Sequence, residues 1–185
     1  MSNIIVFFQL LNYMSIESVP VSSFMTKNIK TETEDQNIQA VCRIMNESNI
    51  GSVIVVKASD GSSSSKPIGI ITERDVVRIV GLLEPYLLQK PIGELMSKPL
   101  ITLSPNHSIK DAIQTMQINN IRRILIVDKG NIEGIITNKD IFKAIMSNQI
   151  SINDLVSNNA LTGQSGVIFD QYREYLFSDN FLQRR

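Results

Sequence analysis

The sequence predicts an α/β (α+β) protein made of two tandem copies of one βαββα unit. The chain repeats itself, both copies share one apolar helix pattern, and both carry the same motif before a second helix. Met25 aligns with Met96, and an offset of 71 residues holds as far as Val56. After a longer Gly/Ser loop in the first copy the offset is 65, which aligns Gly69 with Gly134. Duplication followed by a loop insertion explains this pattern.

The first elements of each copy are a short strand and an amphipathic helix. The strands are predicted near 29–31 and 100–102, and the first helix over 33–48, with Thr33 as N-cap and acidic residues in its first turn. Apolar residues at i, i+3, i+4 and i+7 mark the face of this helix that is buried. In the two copies they are Ile38, Val41, Cys42 and Met45, and Ile109, Ala112, Ile113 and Met116.

The later elements of each copy are two strands and a second helix. They are predicted at 52–56, 68–71 and 74–83, and again at 124–127, 132–136 and 139–146. One copy of this size is marginal alone. We therefore expect the two repeats to pack sheet to sheet with pseudo-two-fold symmetry, which creates two equivalent crevices. The predicted division is an N-terminal extension (1–20), repeat 1 (21–84), repeat 2 (85–148) and a C-terminal tail (149–185) with a short helix, a linker and an aromatic segment.

Composition argues against several classes of protein. Eighteen basic residues balance eighteen acidic ones, so no global field favours nucleic acid or an anionic membrane. The one cysteine, Cys42, excludes an intramolecular disulfide and fits a reducing cytoplasm, and it is expected in the core. His107, the one histidine, is expected to be exposed and forms no Cys/His cluster for a metal. No nucleophile–base pair is visible, so we expect a protein that is not an enzyme and has no cofactor.

The two ends of the chain leave alternatives open. The apolar run 4–11 is shorter than the roughly 20 residues of a membrane span. One interpretation is a segment for docking or oligomer contact. The other is that the translation start has been assigned too far upstream. The aromatic residues near the C-terminus could dock on the chain itself, on a second subunit or on a target.

A Thr-x-x-Asp motif follows the second strand of each copy. It reads Thr72-Glu73-Arg74-Asp75 in the first copy and Thr137-Asn138-Lys139-Asp140 in the second. Threonine is a good N-cap and an aspartate at N3 suits the helix dipole, so helix capping alone could account for both.

The residues around these motifs resemble the CBS domain. Each copy has a Met-Thr-Lys or Met-Ser-Lys start, Asn-Ile before the central strand, and Gly-Ile-Ile before the motif. The resemblance covers about 21–144 and identifies the chain as a tandem CBS pair, or Bateman module. It implies a regulatory, energy-sensing module that binds AMP, ADP, ATP or S-adenosylmethionine in the cleft between the repeats. It also implies a homodimer that signals to an unknown protein effector. The alternative is a ligand-free CBS module for oligomerisation or protein docking.

The resemblance also assigns site residues. Asp75 and Asp140 would accept hydrogen bonds from ribose hydroxyls, with Thr72 and Thr137 offering their own hydroxyls beside them. The walls of the adenine slot would be Ile29 with Val53, and Ile101 with Ile124.

Phosphate groups need cations, and the two copies differ in supplying them. Arg122 and Arg123 precede the central strand of the second copy, where the resemblance to CBS domains implies a phosphate-binding residue. The first copy has the uncharged Gly51 and Ser52 at these positions. The crevices are therefore expected to differ, with the Arg-bearing one better suited to a phosphorylated ligand. Four further cations either reach a phosphate or lie on a solvated face, and these are Arg74, Lys139, Lys27 and Lys98.

Overall fold

A computed structural model describes residues 16–58, 66–82 and 85–146. The apolar run near the N-terminus, most of the Gly/Ser loop and the C-terminal tail lie outside the described residues. The predictions made for those segments therefore stay predictions.

The first sheet contains β1 (Thr31–Thr33), β2 (Ser52–Val56) and β3 (Pro67–Thr72), in that order. β1 runs parallel to β2, and the helix α1 (Ile38–Ser48) supplies the crossover that parallel neighbours need. β3 is antiparallel to β2, and Ser52 is paired with Thr72. The helix α2 (Glu73–Gly81) begins directly after β3. The sheet thus brings the end of β3 next to the start of the central strand.

The second sheet repeats this order with β4 (Thr102–Leu103), β5 (Arg123–Asp128) and β6 (Asn131–Thr137). A short helix α3 (Ile92–Leu95) precedes β4. α4 (Ile109–Ile118) lies between β4 and β5, and α5 (Asn138–Met146) follows β6. Both copies are therefore βαββα, which confirms the predicted fold class.

The start of α1 differs from the sequence prediction. The helix begins at Ile38 rather than at residue 33, its N-cap is Asn37, and no acidic residue lies in its first turn. The Asn37 side chain accepts a hydrogen bond from the Ala40 backbone N–H at 3.1 Å. Thr33, predicted as the N-cap, instead ends β1 and is paired with Val56. Pairing with the central strand has overridden the local capping preference, and it also moves β1 two residues beyond its predicted start.

Backbone contacts divide the chain into two compact units. One contains 26–104 and 125–135, and it has two apolar clusters. In the first cluster, residues of α1 and α2 cover one face of the first sheet, with Val53 and Ile71 at its centre. In the second, Ile54 and Val56 pack with Leu125 of β5. Packing of one sheet against the other, as predicted, is present within this unit.

The other unit contains the described residues 16–25, 105–124 and 136–146. The segment before the first repeat is held to the start of α4 by backbone hydrogen bonds. Val21 donates to the His107 carbonyl at 2.8 Å, and Ile109 donates to the Val19 carbonyl at 2.9 Å. Ile16 and Val19 are fully buried in this unit, as is Ile109.

Candidate functional site

The Thr-x-x-Asp motif of the first repeat forms a complete capping box. Thr72 ends β3, and its hydroxyl accepts the Asp75 backbone N–H at 3.4 Å. Oδ2 of Asp75 accepts both the Thr72 backbone N–H at 2.9 Å and the Thr72 hydroxyl at 2.7 Å. The capping role considered from sequence is confirmed, and it occupies Oδ2 with two donors.

The other carboxylate oxygen, Oδ1, faces away from the capping box. It accepts hydrogen bonds from the Ser97 hydroxyl at 3.2 Å and from Nη2 of Arg78 at 3.3 Å. Both distances are slightly longer than the usual ranges for O–H···O and N–H···O hydrogen bonds. Asp75 is 8 % exposed, whereas the Arg78 side chain is 64 % exposed, so that ion pair is screened by solvent. A ligand hydroxyl could therefore replace a donor to Oδ1 at a lower free-energy cost than a donor to Oδ2.

Ser97 comes from the start of the second repeat and was not identified from the sequence. Its backbone exchanges two hydrogen bonds with Ile70 of β3, at 2.8 and 3.1 Å, so the segment extends the edge of the first sheet. The 71-residue offset pairs Ser97 with Thr26, and Thr26 exchanges the equivalent bonds with Ile135 of β6 at 2.9 Å. The sequence signal for Ser97 was a hydroxyl side chain directly after the first Met of each repeat, Thr26 after Met25 and Ser97 after Met96.

The motif of the second repeat has the same local geometry. Oδ2 of Asp140 accepts the Thr137 backbone N–H at 2.9 Å and the Thr137 hydroxyl at 2.6 Å. The Arg122 carbonyl accepts the Asn138 backbone N–H at 3.0 Å, which places the Arg122 backbone beside this motif. In the first repeat, the Gly51 carbonyl accepts the Glu73 backbone N–H at 3.2 Å. Ser52 and Arg123 are half-buried, and Arg122 is exposed.

The predicted walls of the adenine slot are only partly brought together. Ile29 packs in the cluster between the sheets, but Val53 belongs to the cluster under α1 and α2, on the opposite face. Because side chains alternate along a strand, Ile54 shares the face of Ile29. In the second copy Leu100, rather than Ile101, packs in the cluster with Ile29. Ile101 is half-buried and Ile124 is buried.

A cavity of about 540 Å³ lies at the start of β3 within the same unit as Asp75. Its lining is apolar except for two lysines and three small polar or glycine positions. It is lined by Lys66, Pro67, Ile68, Pro99, Leu100, Thr102, Val127, Lys129, Gly130 and Asn131. None of the site residues predicted from sequence is among them. Ile70 and Ser97 form the β-bridge beside Asp75. Two of the lining residues are close to this bridge in sequence: Ile68 lies two residues before Ile70, and Pro99 lies two residues after Ser97.

Other candidates from the sequence lie at the surface. Arg74 and Lys139 are exposed on α2 and α5, and Lys27 and Lys98 are exposed in the segments before β1 and β4. His107 is exposed in the loop before α4. Burial raises the pKa of the Cys42 thiol, which packs against the core as predicted.

Two kinds of feature are absent from the described part of the chain. Within 16–58, 66–82 and 85–146, no three His, Cys, Asp or Glu side chains group as metal ligands would. In the same ranges, no helix has the length and apolar character needed to cross a bilayer.

The model of the CBS domain family matches residues 21–81 and 92–147. The chain belongs to the CBS domain family. The CBS domain-containing protein YhcV of Bacillus subtilis is 33% identical over 129 residues, covering 70% of this chain and 87% of YhcV. MJ1225 of Methanocaldococcus jannaschii is 29% identical over 136 residues, but the match spans only 46% of that longer protein. The CBS pair thus occurs both as most of a chain and as part of a longer one.

Solved CBS structures share the fold. The CBS domain pair of protein MJ0100, in complex with 5-methylthioadenosine and S-adenosyl-L-methionine, is 24% identical with a TM-score of 0.60, and 70% of this chain aligns with 97% of it. PAE2072 of Pyrobaculum aerophilum, complexed with AMP, is 22% identical with a TM-score of 0.59, over 71% of this chain and 98% of that one. At this level of identity the likeness concerns the fold.

Proposed function

We propose that this CBS pair is a regulatory module that binds an adenosine-type ligand at its Thr-x-x-Asp motifs and signals to a protein partner. The ligand would be AMP, ADP, ATP or S-adenosylmethionine. Family membership supports this, as do the structural neighbours whose ligands are AMP, 5-methylthioadenosine and S-adenosylmethionine. CBS domains are typically regulatory, so we infer a non-catalytic role, and we propose a cytoplasmic location from the lone thiol of Cys42.

The observation that carries the proposal is the state of the Asp75 carboxylate. It is buried, its Oδ2 is held by the capping box, and among the described residues its Oδ1 has two long contacts. A ribose hydroxyl donating to Oδ1 would form a charge-assisted hydrogen bond, the stronger kind.

The cavity supports the proposal by its position. Ile70 packs in the cluster between the sheets together with Leu100 and Val127, and both of those residues line the cavity. A nucleoside with its ribose on Asp75 could therefore extend past Ile70 towards Leu100 and the cavity. A volume of about 540 Å³ lies in the range of small-molecule sites. Lys66 and Lys129 in the lining would favour an anionic substituent.

The test is a thermal-shift and calorimetry panel on the full chain with AMP, ADP, ATP, S-adenosylmethionine, NAD and GTP. A ligand at about 100 times its Kd stabilises the fold by roughly 2.7 kcal/mol. We expect stabilisation by adenosine compounds and not by GTP. Equal stabilisation by GTP would contradict adenosine specificity, and no stabilisation by any of the six would overturn the proposal.

A second candidate function is ligand-independent docking, and one surface favours it. Val77 and Val80 are exposed on one side of α2, with Leu82 just beyond its end. Tyr86 and Leu88 continue the exposed apolar surface in the next segment. We name these five residues the α2 apolar surface, and we propose that it supports the homodimer expected from the sequence.

A further inference from the structure

We propose that the cavity at the start of β3 is a second ligand site, which takes a small amphipathic anion rather than an adenosine compound. Such a ligand has an apolar body with one carboxylate or phosphate group at its end. This site is separate from the proposed adenosine site, because none of the residues that line the cavity belongs to a Thr-x-x-Asp motif. The cations that precede the central strand of the second repeat do not line it either.

A break in the strand register lies at the start of β3. Val55 of β2 is paired with Gly69, and the next residue, Val56, is paired with Pro67 rather than with Ile68. Ile68 is therefore an extra residue in β3, which is the arrangement of a β-bulge. A bulge turns a side chain out of the alternation of its strand, and bulges are common beside functional sites.

The bulge decides where the Ile68 side chain packs. Regular alternation would place Ile68 on the same face as Ile70, which packs in the cluster between the sheets. Ile68 instead packs against the cluster under α1 and α2. Room is left between Ile68 and two residues of the cluster between the sheets, Leu100 and Val127, and all three line the cavity.

The second repeat has a larger side chain at the position of Pro67. The 65-residue offset aligns Pro67 with Ile132. Ile132 packs against the cluster between the sheets, whereas Pro67 lines the cavity. Since proline is smaller than isoleucine, the first repeat has room at a position where the second repeat has a packed apolar side chain.

The charge in the cavity has one sign. Among the described residues that line it, the two charged ones are Lys66 and Lys129. Neither lysine forms a salt bridge with another residue in the described part of the chain. One unit charge about 7 Å from another changes the binding affinity by roughly three- to fiftyfold, for effective dielectric constants between about 80 and 20. Both lysines are exposed, so we expect an effect in the lower part of this range.

The backbone of Lys129 adopts a conformation that lysine does not favour. Lys129 and Gly130 form the two-residue turn between β5 and β6, with φ angles of 49° and 86°. Positive φ at both positions is typical of a type I′ turn, in which asparagine, aspartate and glycine are preferred. The turn by itself therefore does not explain a lysine at this position. A side chain that contributes to a binding site does explain it.

The lining defines the class of ligand. Its apolar residues are Pro67, Ile68, Pro99, Leu100 and Val127. A polyphosphate chain would lose its hydration against these residues, whereas a hydrocarbon body would be stabilised by them. Thr102 and Asn131 in the lining carry hydrogen-bond donors that suit one anionic head group.

The test is an NMR titration of the full ¹⁵N-labelled chain with sodium octanoate, octyl phosphate and octylamine, which share one hydrocarbon chain. We expect saturable shifts of the Gly130 and Asn131 backbone amide signals with the anions, and at least about tenfold weaker binding of octylamine. The two anions distinguish a carboxylate from a phosphate head group.

Two variants remove the charges one at a time. Lys66→Gln and Lys129→Asn should each weaken octanoate binding by about threefold or more. Lys129→Asn places a preferred residue in the turn, so its thermal stability should equal or exceed that of the natural chain. Lys30→Gln removes an exposed lysine outside the lining and is the control, with unchanged octanoate affinity.

The outcomes separate this site from the proposed adenosine site. Equal affinity for octanoate and octylamine would overturn the cavity site, as would unchanged affinity in the Lys66→Gln/Lys129→Asn double variant. Shifts confined to residues outside the lining, or no saturable binding of either anion, would also overturn it. Asp75→Asn should keep the octanoate affinity while losing affinity for adenosine compounds. If the natural chain binds octanoate as expected but no adenosine compound, only the proposed function is overturned.

Discussion

The Ser97 hydroxyl donates a hydrogen bond to Oδ1 of Asp75 at 3.2 Å, although 22 positions separate the two residues. This contact joins the start of the second repeat to the Thr-x-x-Asp motif of the first. Backbone hydrogen bonds to Ile70 hold Ser97 in place beside β3. If a ribose binds Asp75 as proposed, its hydroxyl competes with Ser97 for Oδ1.

Replacing Ser97 is expected to strengthen ligand binding at the first motif. Ser97→Ala removes the competing donor, and a hydrogen bond of about 1 kcal/mol corresponds to roughly fivefold tighter binding. Calorimetry on the Asp140→Asn background isolates this motif. Ser97→Thr keeps a hydroxyl and serves as the matched control, with an affinity near that of natural Ser97. Weaker binding by Ser97→Ala would show that the serine is part of the ligand site.

Removing the motif carboxylates separates capping from ligand binding. Asp75→Ala should lose about 0.5–2 kcal/mol of stability with its capping box, and ligand affinity should fall roughly ten- to a hundredfold at that motif. Asp140→Ala should weaken binding similarly at the other. The measurements are denaturant unfolding and calorimetric titration of each variant.

Asp111 offers a control for the capping effect alone. It forms a third capping box with Ser108 at the start of α4, with bonds of 2.9 and 2.8 Å to Oδ2. Asp111→Ala should lose comparable stability while binding the ligand as the natural chain does. If Asp75→Ala and Asp140→Ala, singly and together, bind like the natural chain, the ribose assignment is wrong.

The Ser108–Asp111 capping box also predicts a pH dependence of stability. Hydrogen bonds from the Ser108 backbone N–H and hydroxyl lower the pKa of the Asp111 carboxyl in the folded chain. Its stabilising contribution is therefore complete above the unfolded-state pKa and is lost as the pH falls through the folded-state pKa. Unfolding free energies of the natural chain and Asp111→Asn should differ near neutral pH and converge as the pH falls through the lowered folded-state pKa of Asp111. A gap that stays constant with pH would contradict this mechanism.

A charge on the α2 apolar surface should weaken self-association. Val77 is 71 % exposed on this surface, and a lysine there would have to be desolvated in a dimer interface. Sedimentation velocity of Val77→Lys should show a monomer at concentrations where the natural chain is dimeric. Ile118→Lys is the control, because Ile118 is 84 % exposed on α4 and lies outside that surface. A natural chain that sediments as a monomer would overturn the homodimer proposal.

Much of the fold was predictable because its signals are local. β2 has the bounds predicted from its run of β-branched residues, and α2 and α5 begin within one residue of prediction. Thr72 and Asp75 are three positions apart, so the capping box forms within a single helical turn. The 71- and 65-residue offsets determined that the second copy would repeat these elements.

Only the tertiary structure decided the features that depend on distant parts of the chain. Thr33 became a strand residue because Val56 is its parallel neighbour, and in consequence α1 begins at Ile38 with Asn37 as its N-cap. Val53 and Ile54 are equally apolar, and only the packing of the sheet shows that Ile54 shares a face with Ile29. The Ser97–Asp75 contact likewise requires the second repeat to lie against the edge strand of the first. The sequence by itself determined which residues form each motif. Which donors each oxygen of Asp75 accepts depends on neighbours that only folding brings within a few ångströms.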